Sequence, residues 1–282
     1  MRSIEYPSGN REIVRGVLFE PVAPPPHPGI IFAHGLLSNH EEFGDYPARF
    51  CDRGYLVLAI DFRGHGASDG LRGLISEDRM VEDLTHALDF LESQPGLDKK
   101  TIALFGHSLG GGGVICTTAR DARVSAVVAG ATVGRLREEL GTGELLMYRV
   151  IDRVNRVQKI VTHKSLYVPY RVSYEHIFSD PIAREAAAAK GFLQKSTPVD
   201  NVPFLLKQDA IICAKKVHVP ALIVLGEKDN VVQHASVRTV YEALGGEKEL
   251  YEVIGSGHSF ATDCKCDEAF DHIAAWLDAH LR

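Results

Sequence analysis

Thr101-Ile-Ala-Leu-Phe-Gly106-His107-Ser108-Leu109-Gly110 is an apolar run that ends in Gly-x-Ser-x-Gly and leads into the small-residue stretch Gly110 to Gly113. Residues 101–105 read as a buried parallel strand, and 109–119 read as a helix packed closely through its glycines. Between them the pattern places Ser108 on a sharp strand-to-helix turn, a nucleophile elbow. Such a turn lifts the hydroxyl clear of the sheet. Glycines suit positions 106 and 110 because a side chain at either would collide with the neighbouring strand or helix.

A serine in this place needs a base, a group that orients the base, and donors for a developing oxyanion. Pro220-Ala-Leu-Ile-Val-Leu-Gly-Glu-Lys-Asp229 is an apolar strand running into an acidic turn. Asp229 then lies beyond the C-terminal end of the strand, where sites form in open parallel sheets. Glu227 competes with it from two residues earlier, but Asp229 lies further into the loop. Leu250-Tyr-Glu-Val-Ile-Gly-Ser-Gly-His258 is a second strand, followed by a Gly-rich loop that carries His258. The chain order Ser108, Asp229, His258 is the order the elbow geometry uses. Pro28-Gly-Ile-Ile-Phe-Ala-His34-Gly35-Leu36 is a further apolar strand, ending in His-Gly.

These segments together resemble an α/β-hydrolase. His34-Gly35, Asp61-Phe-Arg-Gly-His-Gly-Ala-Ser68, Gly106 to Gly111, Gly226 to Asp229 and Gly257-His258 fall in that family's order. Within it the chain resembles small-lidded serine hydrolases: carboxylesterases, feruloyl esterases, lysophospholipases and serine aminopeptidases. The resemblance implies an α/β fold with a mostly parallel sheet of about eight strands and helices on both faces. It implies catalytic roles for Ser108, Asp229 and His258, with backbone N–H groups of Leu36 and Leu109 as the oxyanion hole. It also implies that no metal or organic cofactor is needed. The substrate expected is a small ester with an apolar or aromatic group. Thioester or N-terminal amide cleavage by the same residues, and ligand binding without turnover, remain alternatives.

Composition agrees with a globular chain. Its 282 residues are 45% hydrophobic and 24% charged, with a formal net charge of −6. That balance argues against nucleic acid and anionic membranes as partners. No run is long and apolar enough for a membrane span, and the start carries no apolar leader. The expectation is a cytoplasmic monomer or homodimer. The five cysteines, Cys51, Cys116, Cys213, Cys264 and Cys266, read as thiols rather than a disulfide framework. Cys264-Lys-Cys266 lacks the spacing and second pair of a zinc site.

Short apolar runs at 29–33, 55–60, 101–105, 123–129, 219–225 and 248–254 alternate with helical patterns, and 2–6 with 11–19 reads as a hairpin. Residues 77–92 carry Met80, Leu84, Leu88 and Leu91 at helical spacing behind a Ser76 N-cap. A last helix spans about 267–281. Residues 134–210 break the alternation. The division expected is a core of 1–133 and 211–282 with a lid of 134–210, in which Tyr148, Tyr167, Tyr170, Tyr174 and Phe178 are candidate pocket walls. Glu138, Glu139, Glu144, Glu175 and Glu185 are the acids there that an aminopeptidase reading would use. Among the histidines, His34 and His65 read as structural, His107 as a packing residue or a support behind the reacting groups, and His40 as a neighbour of the predicted oxyanion loop within reach of substrate. Asp61 and Arg63 read as an internal ion pair or loop hydrogen bonds.

Overall fold

Runs that are apolar at every position need cover on both faces, and the structure gives it to them. The computed structural model describes residues 1–170 and 172–282. Its main sheet has eight strands: β1 (Arg2–Pro7), β2 (Ile13–Phe19), β3 (His27–Ala33), β4 (Leu56–Asp61), β5 (Leu97–His107), β6 (Val124–Gly130), β9 (Ala221–Gly226) and β10 (Lys248–Val253). The remaining two strands, β7 (Tyr167–Pro169) and β8 (Ser196–Pro198), form a separate antiparallel pair. The order across the main sheet is β1-β2-β4-β3-β5-β6-β9-β10. The hairpin β1–β2 and the β2–β4 pair are antiparallel, and every other pair is parallel.

The helices are α1 (Tyr46–Asp52), α2 (Glu77–Glu92), α3 (Leu109–Thr118), α4 (Thr142–Thr162), α5 (Tyr174–Ile177), α6 (Pro181–Lys190), α7 (Val202–Leu205), α8 (Ala210–Ala214), α9 (His234–Ala243) and α10 (Cys266–Leu281). Alternate residues of each central strand serve opposite faces. Ile31 and Ala33 of β3 pack with α2, α3 and α9 through Leu84, Leu88, Val114 and Val240. Ile30 and Phe32 pack with α1 and α10 through Phe50, Phe270 and Leu277. Each such large side chain contributes roughly 1.5–3 kcal/mol on burial. Ser76 accepts a hydrogen bond from the N–H of Arg79 and starts α2 as expected.

One expectation about side-chain pairing is corrected and another is met. The cysteines are not all thiols: Cys116 of α3 and Cys213 of α8 form a disulfide, with Cα atoms 4.9 Å apart. Cys51, Cys264 and Cys266 are free. Asp61 and Arg63 make the internal ion pair and loop hydrogen bonds expected of them, each with its own partners. Asp61 takes His40 Nδ1 at 2.8 Å and the N–H groups of His40 and Ala67. Arg63 turns the other way and sets Nε 2.5 Å from Asp83 Oδ1.

Between β6 and β9 the chain leaves the sheet for α4 to α8 and the β7–β8 pair. This excursion returns over the C-terminal ends of β3, β5 and β9: Leu37 accepts from Gln194 N at 2.8 Å, and Asp263 accepts from Ser179 N at 2.9 Å. Among the described residues no helix is long and apolar enough to cross a membrane.

Candidate active site

The turn after β5 is built by close approach. A Cβ on Gly106 would lie 2.4 Å from the carbonyl oxygen of Gly110, and one on Gly110 would lie 2.4 Å from those of Ala33 and His34. Only glycines let α3 leave the sheet so tightly. Ser108 pays for this geometry with φ +53° and ψ −120°. A non-glycine residue held there costs on the order of 1–3 kcal/mol, and such strain collects at functional positions. The Ser108 N–H donates to Gly130 O at 2.7 Å and pins the turn to β6. Ser108 Oγ makes no hydrogen bond among the described residues. It opens into a cavity that His258 also lines.

His258 follows β10 on a loop fixed by Asp263, whose carboxylate accepts the Gly257 N–H at 2.6 Å. His258 Nδ1 lies 2.8 Å from Asp229 Oδ2, both side chains being nearly inaccessible. The other oxygen of Asp229 accepts the N–H groups of Val231 and Val232 at 2.8 and 3.0 Å. Burial alone would raise the Asp229 pKa. His258 and these two N–H groups outweigh burial and hold the carboxylate below its ordinary range. A fixed carboxylate on Nδ1 leaves Nε2 as the nitrogen that can accept a proton. Glu227 is engaged elsewhere, accepting the Gly255 N–H at 2.9 Å.

The loop after β3 closes the other side. A Cβ on Gly35 would lie 3.1 Å from Ser108 Cβ, so this loop runs directly against the elbow. The Gly35 N–H is already taken by Glu42 Oε1 at 2.7 Å. The N–H groups of Leu36 and Leu109 have no acceptor among the described residues. Leu109 opens α3, where free N–H groups and the helix dipole favour negative charge.

One group in this neighbourhood escaped the sequence reading, and a second, His107, supports the site from behind. Glu42, from the one-turn helix His40–Phe43, is a buried carboxylate at the cavity wall. His107 contacts Glu42 Oε1 through Nδ1 at 3.2 Å and the His258 carbonyl through Nε2 at 2.9 Å. His40, held by Asp61, does not line this cavity. The apolar wall comes chiefly from Val172, Ile177, Phe192, Leu193 and Leu36, with Tyr170 as the polar exception. Of the five aromatic candidates, only Tyr170 lines it. Tyr174 and Phe178 stack behind, against each other, and the Tyr167 hydroxyl donates to Arg72 O at 3.0 Å. None of the five glutamates of the 134–210 segment lines the cavity.

A mostly parallel eight-stranded sheet, flanked by helices and carrying its elbow at the end of a central strand, defines an α/β-hydrolase. The chain belongs to the family described as serine aminopeptidase, S33, which matches residues 24–265. An uncharacterised 31.7 kDa protein of Escherichia coli is 28% identical over 276 residues, covering 90% of this chain and 92% of that protein. A monoacylglycerol lipase of Mycolicibacterium smegmatis is 24% identical, over 89% and 88% of the two chains. Among solved structures, DcsB in complex with its substrate analogue superposes with a TM-score of 0.86 at 21% identity, covering 99% of both chains.

Proposed function

We propose that this chain is a serine hydrolase of carboxylic esters, with Ser108 as nucleophile, His258 as general base and Asp229 as its orienting acid. One observation carries the reading: a strained elbow serine shares a cavity with a histidine whose far nitrogen is held by a buried carboxylate. In this reading Ser108 Oγ attacks the ester carbonyl carbon and passes its proton to His258 Nε2. The carbonyl oxygen takes the negative charge and is met by the N–H groups of Leu36 and Leu109. Each such donor is worth about 2.7–4 kcal/mol in transition-state stabilisation. The imidazolium then protonates the leaving alkoxide, and water releases the acyl group by the same steps in reverse. No step requires a metal or cofactor.

Residues 134–210 act as the lid. Val172, Ile177, Phe192 and Leu193 come from it and give an apolar wall that favours an aromatic or medium-length apolar group. The aminopeptidase alternative needs a free carboxylate for the substrate ammonium. The acid at the cavity wall, Glu42, is already held by the Gly35 N–H and His107, which favours an uncharged ester or thioester. The Cys116–Cys213 disulfide favours an oxidising compartment over the cytoplasm.

The test is a fluorophosphonate probe together with p-nitrophenyl esters of rising chain length, acyl thioesters and aminoacyl anilides. Labelling of Ser108 with ester turnover is expected. Labelling of another residue, or no labelling and no turnover, would overturn the assignment and favour a ligand-binding protein.

A further inference from the structure

His107 stands between two groups that only accept hydrogen bonds. Its Nδ1 faces the Glu42 carboxylate at 3.2 Å and its Nε2 faces the His258 carbonyl oxygen at 2.9 Å. A neutral imidazole has one N–H and satisfies one of them; an imidazolium satisfies both. Glu42 Oε1 in turn accepts the Gly35 N–H at 2.7 Å. The bonds form one chain, from Gly35 N–H to Glu42, from His107 to Glu42, and from His107 to the His258 carbonyl. Gly35 adjoins Leu36, His107 adjoins Ser108, and the last acceptor is the main chain of His258. The side chains of His107 and Glu42 are 7% and 5% exposed, so water does not screen the pair.

We propose that Glu42 and His107 form a buried ion pair that sets the oxyanion loop, the nucleophile elbow and the histidine loop in mutual register, acting as positioning residues for the reaction at Ser108. This rests on the proposed triad. Three loops from distant parts of the chain meet here, and a buried charged pair is poor at adding stability but good at fixing one arrangement. Burial would neutralise either partner alone. The pairing overrides it, holding Glu42 below its usual range and His107 above. The other titratable groups facing the pair are His34 at the end of β3, Asp229 and His258 from the loops after β9 and β10, and Tyr170 from the 134–210 segment. The His107 ring lies 4.7 Å from that of His258.

The experiment is a double-mutant cycle of Glu42→Gln, His107→Gln and the double variant on p-nitrophenyl butyrate, with Ser108→Ala alongside. Each single variant is expected to lower kcat about 10- to 100-fold, the scale of a misplaced reacting group, with KM within about twofold. The double variant should be no worse than the poorer single, because each residue works through the other. In every folded variant the loss should fall on kcat and not on KM or the melting profile, the split expected of misplaced reacting groups. A bystander pair would leave kcat in place. A single variant that fails to fold is replaced by the double, which leaves no unpaired buried charge. Wild-type kcat in any folded variant, or additive losses in the double, would overturn the proposal while Ser108→Ala remained inactive. Wild-type-like activity in Ser108→Ala would instead remove the triad on which it rests.

Discussion

The core and the segment 134–210 meet at the cavity but are built on different terms. In the core, apolar periodicity and burial coincide. Met80, Leu84, Leu88 and Leu91 repeat along α2 and all four are buried. In α4 the repeat faces outward. Val150, Val154, Val157 and Val161 are exposed, while Asn155 is the buried residue of that helix, its side-chain oxygen accepting the Leu166 N–H at 2.7 Å. Core positions answer to a sheet that must be covered on both faces. Positions in the segment answer to the points where it touches the core, and several of these are polar: Asn201 Oδ1 accepts from Ile75 N, Asp263 accepts from Ser179 N, and Leu37 O accepts from Gln194 N. The proposed reacting groups belong to the first region, and most of the apolar wall comes from the second. Changes in one region should stop turnover, and changes in the other should redirect it.

The largest expected effect breaks the core side. Ser108→Ala should lower kcat by about 10⁴- to 10⁶-fold with the melting profile intact, read by ester hydrolysis and loss of probe labelling. Asp229→Asn comes next, at about 10⁴-fold in kcat with modest change in KM. A loss of only a few-fold there, with a large loss in Glu227→Gln, would move the orienting role to Glu227. On the other side, Phe192→Ala should cut kcat/KM for aromatic or medium-chain esters by roughly 10- to 200-fold while acetate esters change little, because one apolar wall contact is worth about 1–3 kcal/mol. An equal loss on all chain lengths would mean that Phe192 serves the reacting centre and that the division between the regions is false.

The smallest effect sharpens the comparison through stability. Burial would raise the Asp61 pKa, but the His40 bond, nearby His34 and the Ala67 N–H bring it from 3.8 to about 2. A depressed carboxylate stabilises the fold above its unfolded value and loses that contribution as pH falls from about 3.8 to about 2. His40 is raised by burial-opposed pairing with Asp61, so its share is lost as pH rises instead. At pH 5 both are present. Asp61→Asn should then cost about 2 kcal/mol in chemical denaturation, shrinking toward pH 2. A difference that held constant across that range would show that Asp61 acts only through neutral hydrogen bonds.

The sheet and the elbow were legible because their requirements fall on single residues: apolar strands, obligatory glycines, an acid and a histidine each beyond a strand end. The five short runs between 29 and 254 outside β5 emerged within one or two residues of their expected limits. Glu42 was not legible. Nothing in His-Glu-Glu-Phe marks one glutamate as buried, and its partner is 65 residues away. Nor did His107 announce that both of its nitrogens would be engaged. Most of the cavity wall stayed hidden for the opposite reason: Val172, Ile177 and Leu193 carry no chemical tag, whereas of the aromatic residues that drew attention Tyr170 lines the cavity, Tyr174 and Phe178 stack behind it, and Tyr167 bonds to main chain. Cys116 and Cys213 stand 97 residues apart, so only the folded chain brings them together.

That crosslink changes what a cut would do. Cys116 precedes the 134–210 segment and Cys213 follows it, so the whole excursion is a closed covalent ring hung from the helix that begins at Leu109. A protease that opens this ring at an exposed point, such as the loop at His163, leaves both fragments attached to one another. A nicked molecule would run as an intact chain until a reductant is added and then split in two. It would keep its sheet, its elbow and its histidine loop on one linked body, so limited digestion offers a way to loosen the roof of the cavity without losing either half of the floor.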